Sequence, residues 1–163
     1  MKRNSKATFF LTLAAVIMMF FAVPVLSQDK PDNDMQILRD KIKADKKLLV
    51  AANMGLTESQ AKGFWPVYDA YQKDLTAINQ RMVGLILSYA KDYDSNTFTD
   101  EKAKKLTAEF LGIQKAEANL QASYASKLSK VLPPKQVLRY LQIENKIRAV
   151  IKYELAAEIP LVD

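Results

Sequence analysis

The stretch Leu56-Thr57-Glu58-Ser59-Gln60 opens the longest periodic segment of the chain and decides how the rest is read. Thr57 is a good N-cap, because its hydroxyl can accept a hydrogen bond from one of the free N–H groups in the first turn of a helix. Gln60, three residues on, can reach back to the Thr57 N–H and complete a capping box. Leu56 stands just outside the cap, placed to pack against the first turn.

Beyond the cap, Phe64, Tyr68, Tyr71, Leu75, Ile78, Met82, Leu85 and Tyr89 recur at alternating steps of four and three. This 3.5-residue repeat is the pattern of a coiled-coil seam and needs a partner helix. A helix is predicted over 58–92. Gly63 and Pro66 fall in its first turns, and Pro66 removes one backbone hydrogen bond, so a bend or restart is expected near Phe64-Trp65-Pro66. Trp65 lies off the seam and is expected to pack on the preceding helix or on another subunit.

Working outward, Gly55 ends an earlier helix over 35–54 as a left-handed C′ residue. Met35, Leu38, Ile42 and Leu49 share one face of it, widened by Ile37, Leu48 and Met54, with Asp45 the gap. Lys41, Lys43, Lys46 and Lys47 cover the remaining surface. They read first as a solvated face and second as a client-binding or membrane-surface patch, to which Trp65 would contribute. Residues 28–34 form a polar leader carrying Pro31, with Asp32 or Asn33 as the next cap.

After the long helix, Lys91 to Thr97 is a polar connection, and Thr97 or Thr99 caps a helix over 100–131. Its stripe is Ala103, Leu106, Phe110, Ile113, Leu120, Tyr124 and Val131, interrupted by Glu117 and Lys127, so this seam is not wholly dry. The two periodic helices form a long antiparallel hairpin, each roughly 50 Å at 1.5 Å per residue. Leu132-Pro133-Pro134-Lys135-Gln136 then reopens the helix. Pro134 suits the first helical position, and Leu132 and Val137 are spaced as a hydrophobic staple. A helix over 134–157 places Val137, Leu141, Ile147, Val150, Ile151 and Leu155 on its apolar side. Pro160 stops it, leaving 158–163 as a tail. The fold class is all-α, with four helices and one helical domain over 35–157; only four glycines in the chain argue against a turn-rich β fold.

The first 27 residues carry Lys2, Arg3 and Lys6, then an uncharged run from Ala7 to Leu26. Val25 and Ser27 supply small residues before a cleavage point at Gln28. This is the order of a secretory signal peptide, with an uncleaved anchor as the competing reading. Three of the 24 basic residues leave with it, so the net charge falls from +6 to +3. A mildly basic, exported chain without a recognisable motif is a poor nucleic-acid partner. No cysteine is present for a lipid anchor or a disulfide.

Chemistry is limited by what the chain lacks. With no His and no Cys, nucleophile arrangements of the Ser-His and Cys-His kind and the usual zinc ligands are removed. Asp92, Asp94 and Asp100 lack calcium-loop spacing. Met35, Met54 and Met82 lie on apolar stripes, where packing outweighs copper binding. No Gly-rich phosphate cradle is seen, so neither nucleotide nor cofactor is expected, and no catalytic residue is assigned.

The two stretches around Thr57 and Pro133 share Leu and Gln four apart at a helix start. In this the chain resembles the LTxxQ-motif periplasmic proteins (Spy/CpxP/ZraP-like), over about 35–150. Asn96 to Ala103 resembles the start of the third helix of the Spy-like members. The motif residues Leu56, Thr57, Gln60, Leu132 and Gln136 are structural caps in that family. Pro133 departs from it, standing where the family has Thr, and Phe64-Trp65-Pro66 is a second departure. The resemblance implies a hooked helical hairpin pairing into a curved homodimer in the periplasm. Such a dimer would act as an ATP-independent holdase-type chaperone for unfolded envelope proteins. The alternatives are a regulatory module docking on the extracytoplasmic domain of a stress sensor, and a non-catalytic structural dimer.

Overall fold

The computed structural model describes residues 44–162, and every described element is helical. The described part of the first helix, α1, covers residues 44–54. It is followed by α2 (Glu58–Asp94), α3 (Asp100–Leu128) and α4 (Pro134–Glu158). The expected signal peptide, the leader and the stripe residues Met35, Ile37, Leu38 and Ile42 lie outside the described residues.

Helix boundaries follow local chemistry. Gly55 has φ +58°, the left-handed conformation that ends α1 without a Cβ penalty. At α2, the Gln60 N–H donates to Thr57 Oγ1 (3.3 Å) while the Thr57 N–H donates to Gln60 Oε1 (3.0 Å), a complete capping box. Thr99, the second of the two threonines considered, caps α3 by accepting from the Lys102 N–H. Pro134 opens α4, and Leu132 and Val137 are both buried in one cluster, as a staple requires. Between α2 and α3, Asn96 takes a left-handed φ of 52°. Lys102 Nζ closes that turn with bonds to Asp92 Oδ1 (2.7 Å) and the Thr97 carbonyl (3.0 Å).

The restart expected at Pro66 does not occur: α2 is one helix from Glu58 to Asp94. Lys62 and Pro66 both lie on its exposed face, so the carbonyl that Pro66 leaves without a helical partner can turn to water.

Helix direction can be read from contacts. Gly63 approaches Val131, Tyr71 meets Tyr124, Arg81 pairs with Glu109, and Tyr89 meets Phe98, so α2 and α3 form an antiparallel hairpin. Helix α4 lies back along that hairpin, parallel to α2. Gln72 bonds to Glu144, Leu155 shares a cluster with Val83 and Ile86, and the Tyr89 hydroxyl donates to the Pro160 carbonyl (3.1 Å). Helix α1 crosses both, antiparallel, through Lys46 to Gln72 and Glu144 and through Asn53 to Arg139.

The main core sits where all four helices meet. It contains Val50 and Met54 of α1, Phe64, Tyr68, Tyr71 and Leu75 of α2, Tyr124 and Leu128 of α3, and Val137 and Tyr140 of α4. Its rings pack edge to face: Phe64 against Tyr140 (5.2 Å between centroids) and Tyr71 against Tyr124 (5.3 Å). A smaller cluster of Val83, Ile86 and Leu155 holds the far ends of α2 and α4 together.

The seams differ from the 3.5-residue reading in their later halves. On α2, burial follows Phe64, Tyr68, Tyr71 and Leu75 as expected, passes to Val83 and Ile86 while Ile78, Met82 and Leu85 are half-buried, and returns to the expected Tyr89 beside Ala90. Phe64, Leu75 and Ile86 stand eleven residues apart, the spacing of a helix that is not underwound to 3.5. On α3 the helix ends at Leu128, before Val131, and Phe110 is 41% exposed. On α4, Val150 is 58% exposed and the buried line instead includes Tyr140 and Glu144.

Candidate functional site

The two Leu-x-x-x-Gln stretches, far apart in sequence, come together. Gln60 Oε1 already accepts the Thr57 N–H, so only a donor can approach it. Gln136 supplies one: its Nε2 donates to Gln60 Oε1 (3.2 Å) and to the Gly55 carbonyl (3.5 Å). Proline is the reason that Gln136 can do this. Pro133 has no N–H, so a second capping box cannot form, and the Gln136 carboxamide is left to cross to the first motif. Helix α4 therefore begins without a side-chain cap. Its first turn is instead tied to the α1–α2 turn. Arg139 adds a second tie by donating to the Asn53 carbonyl.

Of the lysines singled out for client contact, Lys46 and Lys47 lie among the described residues, and both are paired with carboxylates. Lys46 Nζ donates to Gln72 Oε1 (2.8 Å) and Glu144 Oε2 (3.0 Å). Gln72 Nε2 donates in turn to Glu144 Oε1 (2.9 Å), and the Tyr140 hydroxyl donates to the same oxygen (3.2 Å). This closed network joins α1, α2 and α4 around a carboxylate with no exposed surface. Lys46 thus acts as the counter-ion of a buried acid, which removes it from a solvated patch. Lys47 is paired with Asp69 (2.8 Å) and lies over the rings of Trp65 (5.1 Å) and Tyr68 (5.7 Å). Trp65 is half-buried, packs on Phe64 and Tyr68, and lies under Lys47 of α1. Lys41 and Lys43 lie outside the described residues.

Burial shapes the tyrosines of this core. Desolvation first and the nearby Glu144 charge second push the Tyr68 and Tyr140 phenols well above their ordinary range. Tyr71 is pushed up to about 12, also by burial first. Tyr124 rises to about 12 through burial and through its hydrogen bond to Asp74 (2.6 Å).

A second polar site lies between α3 and α4. Glu117, seen in the sequence only as a break in a stripe, is buried and receives Arg148 Nη2 and Lys152 Nζ (2.9 Å) on one oxygen, Oε2. Gln114, Ala118, Gln121, Asn145 and Ala149 complete an open cleft of about 440 Å³. Periodicity of apolar residues could not reveal this site. The four-residue steps Tyr140, Glu144, Arg148 and Lys152 were the available signal, because they continue the line between Val137 and Leu155.

Among the described residues no group of three or more His, Cys, Asp or Glu is arranged to hold a metal ion, and no helix is long and apolar enough to cross a membrane. No family model, curated protein or solved structure matches the chain.

Proposed function

We propose that this chain is a periplasmic, ATP-independent holdase of the LTxxQ kind, working as a homodimer on unfolded envelope proteins. The observation that carries the reading is the distribution of exposed apolar side chains. Leu48, Leu87, Leu111, Leu138, Val150 and Tyr153 are each more than half exposed and are spread over all four helices. An unfolded polypeptide presents no single shape, so it is best held by many separate apolar contacts on a rigid frame. Lysines distributed between those residues favour early electrostatic capture and oppose self-association of the holdase. The Leu and Gln four apart at two helix starts support the family part of the reading, and the order of charge and apolarity in residues 1–27 supports export.

Light scattering of two unrelated denatured proteins, diluted into near-stoichiometric purified chain without ATP, tests the proposal against an inert-protein control. Suppression of both aggregation curves is expected. Suppression of neither would favour a regulatory module with one folded partner, to which the localised cleft between α3 and α4 is better suited than a dispersed surface.

A further inference from the structure

We propose that the cleft between α3 and α4 is a carboxylate-binding site, with Arg148 and Lys152 as the binding cations. This does not rest on the holdase reading. Both cations converge on one oxygen of Glu117, so the cluster carries two positive charges against one negative. The Arg148 guanidinium uses Nη2 on Glu117, while its Nη1 is buried without a hydrogen-bond partner in the protein. Arg148 and Lys152 both line the cleft. The cleft beside these two cations is open and lined by the carboxamides of Gln114, Gln121 and Asn145, which can orient a second oxygen.

The ligand class follows from charge and shape. A surplus of one positive charge balances a monoanion, whereas a dianion would be left in excess beside Glu117. The planar fork of a guanidinium matches a carboxylate, and Glu117 shows that a carboxylate fits between these two cations. Lys152 is 53% exposed, so it can swing from Glu117 to an incoming ligand without disturbing the core. The carboxylate could belong to a free small molecule or to an acidic side chain of a polypeptide, and both are tested together.

The full chain, labelled with nitrogen-15, would be titrated with acetate, with a capped alanine pentapeptide carrying a central aspartate, with its asparagine counterpart, and with chloride at matched ionic strength. Saturable shifts of the Gln114 and Asn145 side-chain amide signals, absent with chloride and with the asparagine peptide, are expected. Binding of acetate as well as the aspartyl peptide identifies a free carboxylate as sufficient, whereas binding of the peptide alone identifies a polypeptide source. Lys152→Gln should weaken binding about fivefold and Glu117→Gln, which removes the internal competitor, should strengthen it by a similar factor. A purely structural ion cluster would not produce these opposite changes. Trp65 fluorescence, outside the cleft, checks that each variant is folded, and exposed Lys152 keeps the test valid if Glu117→Gln is not. Shifts that follow chloride equally, no saturable shift with either carboxylate, or an affinity indifferent to Lys152→Gln would overturn the assignment.

Discussion

Lys46 Nζ lies 3.0 Å from Glu144 Oε2, and the Glu144 side chain has no exposed surface. The pair links α1 to α4 across the main core and makes the docking of α1 depend on charge as well as on Val50 and Met54. Breaking a buried pair from one side leaves the other charge stranded, at a typical cost of 3–5 kcal/mol. Lys46 is 21% exposed, which admits some water, so the lower end applies. Lys46→Met should destabilise the fold by about 3 kcal/mol, measured as a fall in the urea midpoint. Adding Glu144→Leu to the same chain should recover much of that loss. A Lys46→Met midpoint equal to that of the parent would show that the pair does not hold α1.

Two glycines of α2 should respond in opposite directions to the same substitution. A Cβ on Gly84 meets nothing within 4 Å, so Gly84→Ala should stabilise by about 0.5–1 kcal/mol through helix propensity and lower unfolded-state entropy. A Cβ on Gly63 would stand 3.0 Å from Val131 Cβ, so the turn that follows α3 must give by a few tenths of an ångström. Gly63→Ala should therefore lower the melting temperature, and Val131→Ala in the same chain should relieve it. Equal effects at both glycines would contradict the close approach of Gly63.

Alkaline stability follows from the tyrosines. A phenol whose pKa is higher in the folded than in the unfolded state holds its proton more tightly when folded. Its stabilising effect is complete below the unfolded value of 10.0 and is lost as pH rises through the folded value. Tyr71 and Tyr124, at about 12, place that window between pH 10 and 12, and Tyr68 and Tyr140 extend it upward. The urea midpoint should be level up to pH 10 and fall steeply above it, with phenolate absorbance appearing together with unfolding. Gradual phenolate formation in a chain that stays folded would contradict the burial of these rings.

How far the sequence carried this fold depended on the kind of signal. Caps and breakers act over a few residues, so Gly55, the Thr57–Gln60 box, Thr99, Pro134 and the Leu132–Val137 spacing placed the helix ends within a few residues. Apolar periodicity placed the first half of α2 and Tyr89 near its end, but not Val83 and Ile86 between them, because a 3.5-residue template drifts from a straight helix by about 20° per heptad. The polar core was invisible to it. Lys46, Gln72 and Glu144 are ordinary surface residue types, and only the folded arrangement turns them inward to satisfy one another. The inward role of Lys46 was out of reach for the same reason. The crossing of Gln136 to Gln60 was equally out of reach: Pro133 could be seen as a lost cap, but not as the reason a glutamine becomes free to pair elsewhere.

The two motifs act as one joint, with Gln136 Nε2 donating to Gln60 Oε1. The most direct test is a double-mutant cycle with Gln60→Ala, Gln136→Ala and the double variant, using urea unfolding of the full chain. A coupling of about 0.5–1.5 kcal/mol is predicted, the range for a single net hydrogen bond between contacting residues. Strictly additive losses, with no coupling beyond experimental error, would show that the two glutamines act as separate caps and would contradict the joint.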